Sequence, residues 1–259
     1  MTDPIEIPES FPSAGDVAGK RVVITGASRG LGALLAHAFS RGGASVALVA
    51  RTEKDLKAVA EDLDGPTLVV SGDVTDEDFN EAVADAVTAE WGGLDVWIAN
   101  AGISPIVAGP RDTAASVWRR LLEVNLTGAF LGARAAARVM RTGGRVIFTG
   151  SVLGERPRDG LTAYSASKAG LVGLAKGLAL DFAPSGITVN VVAPGWFDSP
   201  LAEGFKSNPE LAAGILGHTA QQRWGATTDL AGAYLFLASD ASAFITGTVL
   251  TVDGGYLLV

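Results

Sequence analysis

The sequence predicts one α/β domain, doubly wound, with a seven-stranded, mostly parallel sheet and helices on both faces. Short β-branched apolar runs alternate with longer amphipathic segments along the 259 residues, the pattern of strands joined by crossover helices. The runs are continuously apolar instead of alternating, as strands buried on both faces are. No linker, shift of composition or repeat of fixed length divides the chain.

Taken in order, strands are expected at 21–25, 45–50, 67–71, 94–99, 144–149, 188–192 and 249–252. Helices are expected at 31–41, 53–63, 76–91, 114–141, 164–182 and 229–237. Thr75, with Asp78 three residues on, forms a capping-box-like start for the third helix. Pro184-Ser185-Gly186 stops the long helix that begins at Tyr164. That helix is rich in Ala and Gly, which permits close packing on its own sheet or, equally, against a partner subunit. Before the first strand, Pro4, Pro8 and Pro12 point to an extended arm over residues 1–18, so the folded domain is expected at 19–259.

Composition excludes several classes of function. A formal charge of −8 argues against nucleic acid, whose backbone demands a basic surface, and gives no support for an anionic membrane. The chain has no cysteine, so thiolate nucleophiles, disulfides and Cys-based metal sites are ruled out. Its two histidines, His37 and His218, stand apart from any ligand-like cluster and read as structural; no metal is expected. The N-terminus has neither a basic region nor an apolar run, and no stretch approaches the ~20 apolar residues of a spanning helix. A cytoplasmic location is expected.

Three motifs carry chemistry. Tyr164 to Lys168 reads YSASK, and Ser151 lies 13 positions before the tyrosine. On a helix, i and i+4 share a face, so the Lys168 ammonium is expected to lower the Tyr164 phenol pKa and make it a proton donor and acceptor. Such a pair also arises by chance on solvated helices, and the pair alone decides nothing. The second motif is TGASRGLG, in which Gly26, Gly30 and Gly32 lie between a strand and a helix. There a backbone turn can approach a pyrophosphate at a helix N-terminus, although a plain Gly-rich turn has the same spacing. Third, Ser151 follows the strand RVIFTG, at a carboxyl end of the sheet where α/β ligands bind.

TGASRGLG, Asn100-Ala101-Gly102, Ser151, YSASK and Pro194-Gly195 occur in the order and spacing of the short-chain dehydrogenase/reductase family. From about residue 19 to the end, the chain resembles its 3-oxoacyl-reductase and sugar-acid-dehydrogenase-like branch, which implies a Rossmann-type fold. The resemblance implies a hydride-transferring enzyme acting on a carbonyl or secondary alcohol. Ser151 would hold the substrate oxygen and Tyr164 would exchange its proton. Lys168 would tune the tyrosine and bind the nicotinamide ribose. Asn125 would hold a relay water, although an asparagine inside a helix also bonds to backbone.

For the cofactor, the resemblance implies Gly26, Ser28, Arg29, Gly30, Leu31 and Gly32 at the phosphates. It implies Asp73 and Val74 at adenine, where a surface aspartate opening a loop is the alternative. Asn100, Ala101 and Gly102 would lie on the adenosine-ribose side. Pro194, Gly195, Phe197 and Ser199 would surround the nicotinamide carboxamide, with Ser199 in place of the commoner threonine. NAD-selective members carry an acid after the second strand, whereas this chain has Ala50-Arg51. A guanidinium suits a 2′-phosphate, and Arg29 could add a second cation, so NADP(H) is preferred with NAD(H) possible. Arg51 could instead stack on adenine.

Substrate contacts are expected from Ser151, Leu153, Tyr164 and Trp196, under a lid near 196–223 that carries Trp196, Phe197, Leu201 and Phe205. Arg156 and Arg158 lie close to Ser151 in sequence, which suits an acidic substrate or simply a solvated loop. The resemblance also implies a homotetramer, and the apolar tail Tyr256 to Val259 would be odd to leave in water. A non-catalytic NADP(H)-binding sensor or scaffold is the alternative function. The complete catalytic set speaks against it, and a lyase or epimerase on the same fold would show no net change in cofactor absorbance.

Overall fold

The structure is a computed structural model and describes residues 14–104, 108–199 and 202–259. Residues 1–13 of the expected arm, and Leu201 of the expected lid, lie outside the described residues. Seven parallel strands form one sheet in the order β3-β2-β1-β4-β5-β6-β7. They are β1 (Arg21–Thr25), β2 (Ser45–Ala50), β3 (Thr67–Ser71), β4 (Val96–Ala99), β5 (Arg145–Thr149), β6 (Thr188–Pro194) and β7 (Val249–Val252). The order reverses between β1 and β4, so a crevice opens beyond their carboxyl ends, the place where such sheets bind ligands.

Helices cover both faces: α1 (Gly30–Arg41), α2 (Glu53–Glu61), α3 (Glu77–Trp91), α4 (Ala115–Leu122), α5 (Gly128–Val139), α6 (Thr162–Phe182), α7 (Glu203–Lys206), α8 (Pro209–Gly217) and α9 (Thr227–Ala238). One apolar layer packs α3, α5 and α6 on the sheet through Val83, Val87, Trp97, Ala133, Phe148 and Leu171. The other packs α1 and α9 through Leu35, Phe39, Ile24, Ile98, Leu230 and Tyr234. Each of these larger side chains contributes about 1.5–3 kcal/mol by leaving water.

Several boundaries differ from the sequence reading. The third helix is capped by Asp76, which accepts from Phe79 N at 3.2 Å, and not by Thr75. Thr75 instead gives its amide and hydroxyl to Asp73 Oδ1, at 3.0 and 2.9 Å. The helix expected at 114–141 is two helices joined by a π-helical turn over Glu123–Thr127. The apolar periodicity runs through that turn, so the sequence does not show the break. The last helix begins at Thr227, earlier than expected, because the Asp229 carboxylate accepts from Ala226 N at 3.0 Å. At the chain end Tyr256 is buried, but Leu258 remains 86% exposed. The tail is therefore only half withdrawn from water.

At the amino edge of the sheet, Arg21 and Asp95 join the starts of β1 and β4. The guanidinium donates to both carboxylate oxygens, at 2.7 and 2.6 Å, and Arg21 N adds a third bond at 2.8 Å. Burial opposes ionisation of Asp95, but these donors outweigh it and hold the carboxyl below its ordinary range.

Candidate active site

A cleft of about 670 Å³ lies at the carboxyl ends of the strands. Every sequence-predicted site residue lines it except Asn125, which sits behind the wall.

The glycine turn between β1 and α1 forms one end. Gly26 adopts φ +69, a left-handed conformation that favours glycine, and a Cβ on Gly32 would lie 2.1 Å from Gly26 O. Only glycines allow this turn to fold so tightly against the helix start. Ser28, Arg29, Gly30 and Leu31 complete that end, and Arg29, the N-cap of α1, caps with no side-chain bond. The turn thus offers unfilled N–H groups to an anion. Arg51 follows β2, is exposed beside the cleft, and pairs with no carboxylate among the described residues. Asp73 and Val74 follow β3. Asp73 accepts from Arg120 at 2.8 Å; burial disfavours its charge, but Arg120 and Thr75 prevail and its pKa falls.

The middle of the cleft is fixed by a buried network. Asn100 Nδ2 donates to Thr25 O at 2.9 Å, and Thr25 Oγ1 accepts from Asn100 N and Ala101 N, both at 3.0 Å. Asn100 Oδ1 accepts from Thr149 Oγ1 at 3.3 Å. Gly102 then passes close to Asn125 Oδ1 and Lys168 Nζ, which a Cβ there would meet at 3.4 and 3.6 Å.

At the far end Ser151, Leu153, Tyr164, Lys168, Pro194, Gly195, Trp196, Phe197 and Ser199 converge. Ser151 caps a short 3-10 turn, its Oγ accepting from Leu153 N at 3.1 Å. Tyr164 and Lys168 share a face of α6, with Nζ 5.6 Å from the phenol centroid. Nζ donates to Thr149 O at 2.7 Å, a carbonyl at the end of β5. The expected lowering of the phenol pKa is not found. Burial raises the Tyr164 pKa, with the Ser151 hydroxyl opposing it, and burial pushes Lys168 down to about 8. The enclosed position penalises both charged forms more than a lysine engaged with a carbonyl can offset.

Asn125 lies in the π-helical turn, a distortion frequent at functional sites. Its Oδ1 accepts from Ile103 N at 2.8 Å, and its Nδ2 donates to Ile103 O and Ser167 Oγ, at 3.0 and 3.1 Å. Ser167 Oγ in turn bonds Tyr164 O at 2.7 Å. Asn125 thus reaches the tyrosine's backbone through Ser167 and also makes the backbone bonds weighed as its alternative.

Beyond β6, the chain at Gly195 passes so close to β7 that a Cβ would lie 2.6 Å from Asp253 Cα. Gly225 N then donates to Trp196 O at 2.9 Å, and Asp198 N to Gly225 O at 2.8 Å, which pins Trp196 and Phe197 over the cleft. Sequence reading missed Thr149, Arg120, Ile103, Ser104 and Leu161, all of which line the cleft. For Thr149 a signal existed, since it closes the strand two residues before Ser151.

A family model described as Enoyl-(Acyl carrier protein) reductase matches residues 26–257. Cis-4-hydroxycyclohexanecarboxylate dehydrogenase of Sinomonas cyclohexanicum is 38% identical over 95% of this chain and 100% of its own. The 3-oxoacyl-[acyl-carrier-protein] reductase of Escherichia coli (strain K12) is 37% identical over 93% of this chain and 98% of its own. The chain belongs to the short-chain dehydrogenase/reductase family. A crystal structure of a short-chain dehydrogenase from Burkholderia cenocepacia J2315 in complex with NADP superposes with a TM-score of 0.86. It is 34% identical over 93% of this chain and 99% of its own. As a short-chain dehydrogenase/reductase the chain is an oxidoreductase enzyme of a nicotinamide-dependent family, with a Rossmann-type sheet. Among the described residues no helix is long and apolar enough to cross a membrane, and no cluster of His, Asp and Glu could hold a metal.

Proposed function

We propose that the protein transfers a hydride between NADP(H) and a carbonyl or secondary-alcohol substrate, with Tyr164 as acid and base. The observation that carries this reading is the convergence of Ser151, Tyr164 and Lys168 on one cleft with the glycine turn at its other end. A nicotinamide bound there supplies or accepts the hydride. The residues present fit such a group: a glycine turn with unfilled N–H donors, two cations that pair with no described carboxylate, and a long cleft between them and Tyr164. Arg51 and Arg29 favour the 2′-phosphate, so NADP(H) is preferred and NAD(H) is used less well.

In the reducing direction, Ser151 Oγ donates to the substrate oxygen and steadies its growing negative charge. Tyr164 gives its proton to that oxygen, and the raised phenol pKa keeps the proton in place until it is needed. Lys168 faces the phenol and stabilises the phenolate left behind. Asn125, reaching Tyr164 O through Ser167, holds the first turn of α6. The segment around α7 and α8 acts as a lid, and residues 19–259 work as one domain.

Tyr164→Phe should remove turnover by about 10²–10⁴-fold while leaving NADPH affinity nearly intact. Full activity in that variant would end the reading. Assembly as a cytoplasmic homotetramer is part of the same proposal. Exposed Phe244 and Leu180 and the open faces of Gly173 and Gly177 support it. A monomer mass by light scattering would reject it.

A further inference from the structure

The wall around Tyr164 is mostly apolar. Leu153, Leu161, Trp196 and Phe205 all line this end of the cleft. Trp196 is immobilised by edge-on rings, with centroids at 4.9 Å to Phe205, 6.1 Å to Trp224 and 6.3 Å to Tyr256. Its indole Nε1 is buried, yet it meets no acceptor among the described residues. That nitrogen has no open surface, so the indole contributes apolar surface to the wall.

Beside this wall stands an arginine that pairs with no carboxylate among the described residues. Arg158 lies over the Trp196 ring, its guanidinium carbon 5.7 Å from the centroid. Its backbone is tied to the wall as well, since Leu161 N donates to Arg158 O at 3.1 Å. Its neighbour Arg156 is occupied, donating to Tyr256 O at 2.9 Å and to Val259 O while stacking on Tyr256 at 5.3 Å. Arg21, Arg120, Arg134, Arg138, Arg145 and Arg223 each pair with a carboxylate. Arg158 pairs with none among the described residues, in a chain whose net charge of −8 gives acids in excess. A half-buried guanidinium over an aromatic face is partly desolvated, which strengthens its hold on an anion.

From this placement we propose that the substrate carries a carboxylate, received by Arg158 beside the Trp196 ring. Its apolar body would lie against Leu153, Leu161 and Phe205, and its carbonyl or hydroxyl would reach Ser151 and Tyr164. The proposal rests on the oxidoreductase reading and narrows it to oxo-acids and hydroxy-acids. A thioester's phosphates could also supply an anion. A carboxylate on the substrate itself fits better, because Arg158 stands at the rim of the cleft, over a ring of the apolar wall beside the reacting end.

The test is NADPH consumption with 4-oxocyclohexanecarboxylate, its methyl ester and acetoacetyl-CoA. Three proteins are compared: the full chain, Arg158→Met and Arg158→Lys. The acid should exceed the ester in kcat/KM by about tenfold to a hundredfold, chiefly through KM, the scale of a hydrogen-bonded charge. Arg158→Met should collapse the acid-to-ester ratio, and Arg158→Lys should restore part of it. Equal use of acid and ester, or a ratio insensitive to Arg158→Met, would overturn the proposal. So would turnover of acetoacetyl-CoA alone, but that result would leave the oxidoreductase reading in place. No consumption with any of the three, while NADPH binds, would overturn the proposal and count against the reading itself.

Discussion

Tyr234 Oη stands 2.8 Å from Thr149 Oγ1, and the phenol is the donor in this bond. Asn100 commits its amide nitrogen to Thr25 O, so its carboxamide oxygen must accept, and Thr149 gives that oxygen its only hydroxyl proton. Tyr234 must therefore supply the proton between itself and Thr149. Burial raises its pKa and keeps that proton bound. The same threonine presents its carbonyl to Lys168, so α9 on one face of the sheet steadies the partner of a cation on the other.

Tyr234→Phe leaves Thr149 Oγ1 buried and short of a donor. The variant should lose about 1–3 kcal/mol of stability in urea denaturation, with the slope unchanged. No loss would mean that the phenol is idle.

Lys168 makes a pH-dependent prediction. Its native pKa is about 8, below the ordinary 10.5, because burial penalises the charge. Below pH 8 the charge is present in both folded and unfolded chains, and folding bears the full penalty. As pH rises from about 8 to 10.5, the unfolded chain holds the extra proton and stability increases. Lys168→Met should therefore be more stable than the parent at pH 7, by up to about 3 kcal/mol, with the gap closing as the pH approaches 10.5. Activity should be lost in the same variant. Denaturation curves at pH 7 and 10 decide the sign.

Arg51 bears on cofactor choice. Arg51→Ala should raise the KM for NADPH by about tenfold and leave NADH nearly unaffected, the scale of one charge-assisted contact. Equal effects on both cofactors would place the guanidinium on adenine instead of on a phosphate.

Asp95 links pH to the sheet's amino edge. Its native pKa lies below the ordinary 3.8, so its contribution is present above that value and fades as pH falls through the lowered native one. Asp95→Asn should cost about 1.5–3 kcal/mol near neutrality. The difference from the parent should shrink in acid, measured by thermal melts across pH.

The sheet and most of the site were legible in the sequence because local patterning encodes them. Strands buried on both faces read as apolar runs, and most cleft residues sit at strand ends, turns or helix starts whose chemistry is local, while Lys168 follows from its four-residue spacing to Tyr164 on α6. The helix break at 123–127 was not legible, since a π-helical turn needs no unusual composition and arises where Asn125 meets Ile103 and Ser167.

Composition, the order of β and α segments and the motif spacings determined the parallel fold, the family and the set of residues around Tyr164. Only the tertiary structure decided their protonation and partners. A phenol four residues from a lysine suggests a lowered pKa, but burial reverses that direction for Tyr164 and depresses Lys168 as well. Which arginine is occupied and which is free also depends on folding, because Arg156 meets a chain end 103 residues away while Arg158 meets Trp196. Desolvation and long-range pairing are properties of the packed chain, and no local stretch of sequence carries them.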